Sequence, residues 1–193
     1  MPRKGVIIIM KKTLTLLIAI VAFLLVSCKS EPSGESLPDG MLLANNEAVD
    51  YYFYYPEGWE IDRNEGMISI RYNTSEKVGL EEYASISVMS FTNKDTAQVV
   101  NKYWEENVSS IANLFEGDGD DYAIKDESEI RLDNVVSARK VYTGTLDGNT
   151  YKFAQVICIR NSIVYLITFT GTEDDYSNLI DDFDTVISNF HFK

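Results

Sequence analysis

The chain has 193 residues, with 17 basic and 30 acidic side chains, one histidine and a formal charge of −13 at pH 7. An acid excess of this size repels polyanions, so nucleic acid and anionic headgroups are excluded as principal partners, while cations and basic surfaces stay open to it. Its 45% hydrophobic content supplies one domain with a sizeable core, and no internal repeat divides it.

Met10-Lys11-Lys12 opens a short positive region, residues 13–24 are almost uninterruptedly apolar, and Leu25-Val26-Ser27-Cys28 closes the stretch. This pattern resembles a bacterial lipoprotein signal, cut before Cys28, whose thiol and new amino group would carry acyl chains such as palmitate. The apolar run is shorter than the ~20 residues of a spanning helix, and turn-forming residues follow Cys28 at once, so residues 1–27 read as a cleaved leader. Met10 is an alternative start, because residues 1–9 add nothing such a signal needs. Cleavage removes Arg3, Lys4, Lys11 and Lys12 and no acid, leaving 13 basic against 30 acidic side chains. Lys29, in place of Asp after the cysteine, would direct the protein to the outer membrane in a Gram-negative host. Residues 28–40 comprise the lipidated cysteine and the tether KSEPSGESLPDG. Rich in Ser, Pro, Gly and acid, this tether reaches at most ~40 Å. Residues 41–193 form the globular domain.

Residues 51–55 predict an aromatic strand, after which Pro56 and Glu57-Gly58 turn the chain so that Trp59 folds back over it. Residues 67–72 and 84–91 predict strands; in the second, Ile86 and Val88 share the Ala84 face and Met89 and Phe91 lie opposite. Between them, residues 73–83 read as a charged loop. Over residues 95–115 the period changes to that of a helix, with Val100, Tyr103, Trp104, Val108, Ile111, Leu114 and Phe115 on one stripe. Gly117 ends it. Residues 122–132 are extended, and Asp133-Asn134 turns the chain into a β-meander over 135–169, with further turns at Asp147-Gly148 and Asn161-Ser162. Along its middle run, Tyr151, Phe153, Gln155, Ile157 and Ile159 make an apolar face and Lys152, Ala154, Val156, Cys158 and Arg160 a mixed one. Thr172, with Asp175 three residues on, then predicts a capping box. A second amphipathic helix follows through Tyr176, Leu179, Phe183 and Val186, and Phe190-His191-Phe192 closes the chain as an extended piece.

The pattern predicts an α+β fold: an antiparallel sheet of about seven strands with two amphipathic helices packed on it. The aromatic strand entering Tyr-Pro-Glu-Gly-Trp, the central helix, the meander with its aromatic-rich last strand, and the closing helix before Asn189-Phe190-His191-Phe192 resemble the PsbP-like family over residues 50–192. That family includes an extrinsic photosystem II subunit and bacterial lipoproteins. The resemblance implies a PsbP-like sandwich serving as a non-enzymatic binding or assembly module, and it carries over no functional residue.

Catalytic groups are scarce. His191 sits between two phenylalanines near the C-terminus, as a strand-end residue rather than a general base, and Cys158 between Ile157 and Ile159 reads as a small buried hydrophobe. No GxSxG, metal-ligand spacing or phosphate loop is present. No cofactor is expected. The acidic stretch 116–121 is the best metal candidate: counted from Asp118 as position one of a calcium loop, Asp120, Asp126 and Glu129 fall at ligand positions. Ala123 stands where the glycine belongs, however, and Tyr122 at position five, so a solvated loop is expected and calcium binding is not. Glu81, Glu82, Asp181, Asp182 and Asp184 read as exposed faces.

These features predict a lipid-anchored, extracytoplasmic binding or assembly module of the bacterial envelope. It would meet the membrane through its N-terminal lipid and would bind another envelope protein. A small-molecule or Ca²⁺ carrier is the second reading and an enzyme the third. The Cys28→Ala chain is expected to leave the membrane fraction or to persist as uncleaved precursor. Its recovery with membranes at the mass of a chain cut before residue 28 would rule lipid out as the anchor.

Overall fold

The computed structural model describes residues 37–64, 67–73, 83–95, 99–115 and 123–193. Ten strands and two helices are present among them: β1 (Met41–Asn45), β2 (Tyr51–Pro56), β3 (Glu60–Asn64), β4 (Met67–Asn73), β5 (Tyr83–Thr92), α1 (Val100–Ala112), β6 (Ala123–Leu132), β7 (Val135–Leu146), β8 (Asn149–Arg160), β9 (Ile163–Gly171), α2 (Glu173–Ser188) and β10 (Phe190–Phe192). A seven-stranded sheet runs in the order β3-β4-β5-β9-β8-β7-β6, and a three-stranded sheet in the order β1-β2-β10. Every strand pairing is antiparallel.

The expected α+β class and the seven-stranded antiparallel sheet are both present, but membership of the sheet differs from the reading of the sequence. β2, the aromatic strand, leaves the large sheet for the small one, and β3 takes a place at the large sheet's edge. β1 and β3 carry no alternating apolar pattern because each is short and lies at a sheet edge. The first helix is shorter than its periodicity implied: Val99 is extended, and Leu114 and Phe115 close tight turns onto Ile111 and Ala112. Residues 96–98 and Gly117 lie outside the described residues, as does most of the charged segment 73–83.

Local chemistry explains the meander. The turns at Asp133-Asn134, Asp147-Gly148 and Asn161-Ser162 have positive φ at both central residues. This is the geometry that matches the twist of paired strands. At the start of α2, Thr172 Oγ1 accepts from the Asp175 amide at 3.1 Å, and Asp175 Oδ2 accepts from the Thr172 amide at 2.8 Å. Asp therefore completes the capping box in place of the usual Glu. Glu173, Asp174 and Asp175 place negative charge at the positive end of the helix dipole.

β8 lies inside the large sheet, and both of its faces are buried. The face that reads as mixed is the one against the main core: Ala154, Val156 and Cys158 are fully buried there. They pack with Phe183 and Val186 of α2, and with Tyr51, Phe53 and Phe190 of the small sheet. Small side chains at the centre leave room for the large aromatic ones that cover them.

Trp59 is buried in the same core cluster as Phe53 and Tyr55 of the strand it follows, and it also reaches beyond that strand. Nε1 donates to Asp182 Oδ2 of α2 at 2.8 Å, and the ring meets Tyr72 of β4 edge-on at 5.5 Å. Arg139 of β7 likewise binds Asp184 at 2.6 Å beneath the Phe183 ring. Two acids that read as an exposed face thus tie α2 to the rest of the fold.

Tyr51 is fully buried, donates to the Val88 carbonyl at 3.0 Å, and stacks on Phe190 at 5.4 Å. Burial, aided by the nearby Asp50 carboxylate, pushes its phenol up to about 12. Tyr165 moves the same way through burial and its 2.5 Å hydrogen bond to Asp50. The folded values lie above the unfolded one, so this contribution is complete below about pH 10 and is lost as the pH rises toward the folded values. Tyr51→Phe should therefore cost about 1 kcal/mol at neutral pH yet show a shallower loss of stability above pH 10. Denaturant titrations at pH 7 to 11 measure this, and an equally steep alkaline loss in both proteins would contradict it.

Candidate binding site

The face of the large sheet opposite α2 carries α1. Strand registers place one polar row on it, aligned across all seven strands: Asp62 beside Ser69, then Ser87, Thr168, Gln155, Lys140 and Glu127. Flanking it beneath α1 are apolar side chains, Phe153 and Ile157 of β8 and Tyr142 of β7, which pack with Trp104. The row thus runs from exposed ends into a buried middle.

Lys140 and Gln155 are 6% and 8% exposed. Lys140 Nζ lies 3.0 Å from Glu127 Oε2 and 5.4 Å from the centre of the Trp104 ring, so its charge is paired on one side and set against an aromatic face on the other. Its methylene stem is free to pack while its head reaches Glu127 at the sheet edge. Gln155 Nε2 donates to Thr168 Oγ1 at 3.0 Å, and its Oε1 has no partner among the described residues.

α1 is lightly held. Val99 gives it no side-chain cap, its first turn has no acid, its last turn has no base, and Trp104 is its one buried residue. Beyond its end, Phe115 packs on Phe153 and Tyr142, at 5.4 and 6.3 Å, and lies directly on Gly144. Leu114 stays 70% exposed.

Between α1 and the neighbouring strands lies a cleft of about 580 Å³, with Val99, Val100 and Asn101 on the helix side and Val136, Ala138 and Ile159 among its sheet residues. A second cleft of about 390 Å³ continues along the seam past Trp104, Glu105, Val108 and Ile124, and the two share Asn101, Glu127 and Lys140. A third, of about 300 Å³, lies on the polar part of the same face between Ser69, Arg71, Tyr151 and Thr170. The first is within the range of small-ligand sites.

The residues singled out from the sequence are not gathered at this seam. Cys28, Asp118 and Asp120 lie outside the described residues. Asp126 and Glu129 are three apart on β6, hence on opposite faces of the strand, and a register shift between Ile124 and Asp126 interrupts the edge. Glu129 faces the α1 side and Asp126 does not, so these two do not converge on one ion. Among the described residues, no group of three or more His, Cys, Asp or Glu side chains comes together. Cys158 is fully buried, and burial raises its thiol against the opposing effect of Ser137, which keeps the reactive thiolate scarce. His191 stacks on Tyr52 at 5.0 Å with Asp133 at 3.9 Å, inside the small sheet. Lys140 and Glu127 escape the sequence reading, and Gln155 enters it only as a member of the apolar face of the middle run, although one signal exists: Lys140 stands in the inward phase between Ala138 and Tyr142.

A family model described as PsbP-like protein matches residues 38–192. None of the curated proteins matches. Among solved structures, cyanobacterial PsbP (CyanoP) from Synechocystis sp. PCC 6803 is similar with a TM-score of 0.59 at 15% identity, covering 84% of this chain and 100% of that one. LpqN of Mycobacterium tuberculosis, described as involved in cell envelope biogenesis, has a TM-score of 0.61 at 12% identity, with coverages of 79% and 91%. A Pseudomonas aeruginosa protein described as a putative regulator has a TM-score of 0.51 at 14% identity, with coverages of 75% and 91%. At these identities the likeness is one of fold.

A Cβ at position 144 would overlap the Phe115 ring. Gly144→Val is therefore expected to displace that ring, cost about 1–3 kcal/mol and speed amide exchange in the last turn of α1. Unchanged exchange at Ile111 and Ala112 would show that the helix is seated by other contacts.

Proposed function

The chain belongs to the PsbP-like protein family, and from that premise we propose a non-enzymatic binding module of the bacterial envelope, held at the extracytoplasmic side of a membrane by lipid on Cys28. The observation that carries this reading is the inequality of the two faces of the large sheet. One is sealed by α2 and the small sheet. On the other, α1 buries a single residue, and Met89, Phe91, Val99, Ile124 and Val136 remain 39–65% exposed in the strands and linker around it. Scattered exposed apolar residues are ordinary, but a group on one face is the usual mark of a surface that meets a partner.

The anchor reading rests on the leader pattern ending at Cys28. Among the described residues, no helix is long and apolar enough to cross a membrane. The similarity to LpqN, itself described as acting in cell envelope biogenesis, supports an envelope setting. Against catalysis stands the placement of the reactive groups: the thiol is buried and the histidine is stacked in a sheet. A small-molecule carrier is the second reading, favoured by the 580 Å³ cleft. Its rim is open at Val99 and Val136, 65% and 46% exposed, which suits a surface contact better than an enclosed ligand.

Photo-crosslinking residues introduced at Met89, Phe91, Leu114 or Val136 should give adducts with an envelope protein in native membranes. The same residue at Asp174 or Asp181 of α2 should give none. Failure of every position on the α1 side would remove the binding-module reading.

A further inference from the structure

Resting on that reading, we propose that the seam between α1 and the β6–β7 edge of the large sheet is a docking groove for a basic, amphipathic polypeptide segment of the partner. The two clefts join through Asn101, Glu127 and Lys140 and so make one trough along the helix. Apolar side chains line it at both ends, Val100, Val136 and Ile159 in one cleft and Val108 and Ile124 in the other. Spaced apolar anchor points with polar ground between them are what an amphipathic segment fits.

Charge decides the sign of the occupant. Among the described residues, Lys140 is the one cation lining either cleft, and Glu127 at 3.0 Å already neutralises it. Glu105 and Glu129 then leave the trough with unbalanced negative charge, on a chain whose formal charge is −13. Complementary potential favours Lys and Arg on the incoming segment and rejects acidic ones. The Lys140–Glu127 pair fixes the Glu127 carboxylate, so that recognition meets a preset acceptor rather than a swinging side chain.

Geometry also decides how the segment binds. Strand addition to β6 is blunted, because that edge carries Lys125, Asp126, Glu127, Glu129 and Arg131 and is broken by a register shift. Contact through side chains on the helix-bearing face remains. A small amphiphile would need deeper enclosure than a trough whose rims at Val99, Val136 and Ile124 are 65%, 46% and 43% exposed.

The probe is a labelled Leu/Lys amphipathic peptide about four helical turns long, with a Leu/Glu analogue as control. It is added to the full lipidated chain in phosphatidylcholine nanodiscs, with a photo-crosslinking residue at Val136, Ile124 or Met89. Adducts are expected from Val136 and Ile124, none from Met89, and none with the Leu/Glu peptide. Glu105 and Glu129 are exposed and outside the ion pairs described, so Glu105→Lys with Glu129→Lys should preserve the fold. This double variant should lower the yield about tenfold, the effect of removing two favourable charge contacts. Equal labelling at Met89 and Val136, labelling by the Leu/Glu peptide, or an unchanged yield in the charge-reversed variant would overturn the groove. Competition by octylamine at equal strength would instead make the seam a small-amphiphile site, and would overturn it too. Native-membrane adducts at Met89 or Phe91 without any at Val136 would sink the groove while leaving the binding-module reading in place.

Discussion

The structure depends on the burial of β8 on both faces. A central strand with Phe153 and Ile157 on one side and Ala154, Val156 and Cys158 on the other exposes too much apolar surface for either face to stay wet. At about 25 cal/mol per Å² of apolar area, each face demands a cover. The chain supplies two covers of unequal quality, and their difference produces the candidate binding surface.

The better cover is α2 with the small sheet. It combines a capping box, the Trp59–Asp182 hydrogen bond, the Arg139–Asp184 pair and a stack of aromatic rings that includes Tyr51, Phe53 and Phe190. Charged groups at the margin orient the helix while the rings supply the buried area, and aromatic pairs add to that area term through their geometry. The lesser cover, α1, has no side-chain N-cap and buries only Trp104 outright, with Val100, Tyr103, Val108 and Ile111 half-buried around it. A helix with one fully buried residue and no side-chain N-cap lies nearer the low-stability end of the local unfolding spectrum than α2 does.

Beneath and beside α1, the polar row is the feature a purely structural role does not require. A buried lysine and glutamine in an apolar interface carry a desolvation cost, and the pairing of Lys140 with Glu127 offsets it only in part. Hydrophobic residues at 140 and 155 would pack the same sheet without that cost. Lys140 and Gln155 instead carry the polar row from the exposed Glu127 into the buried middle of the sheet.

By itself the sequence determined whatever is local. Periods of 2 and 3.6 marked the meander and both helices, paired turn residues marked the hairpins, Thr172 and Asp175 marked the start of α2, and together they carried the family resemblance that the family model bears out. The tertiary structure decided what depends on residues far apart in the chain. Edge strands β1 and β3 owe their form to partners, not to their own pattern. The small-residue face of β8 became the main core because α2 and the small sheet bring the rings that fill it. Trp59 took an acceptor 123 residues away. Lys140 and Gln155 became buried neighbours only when seven strands aligned their rows, since register is a property of pairing rather than of any one strand.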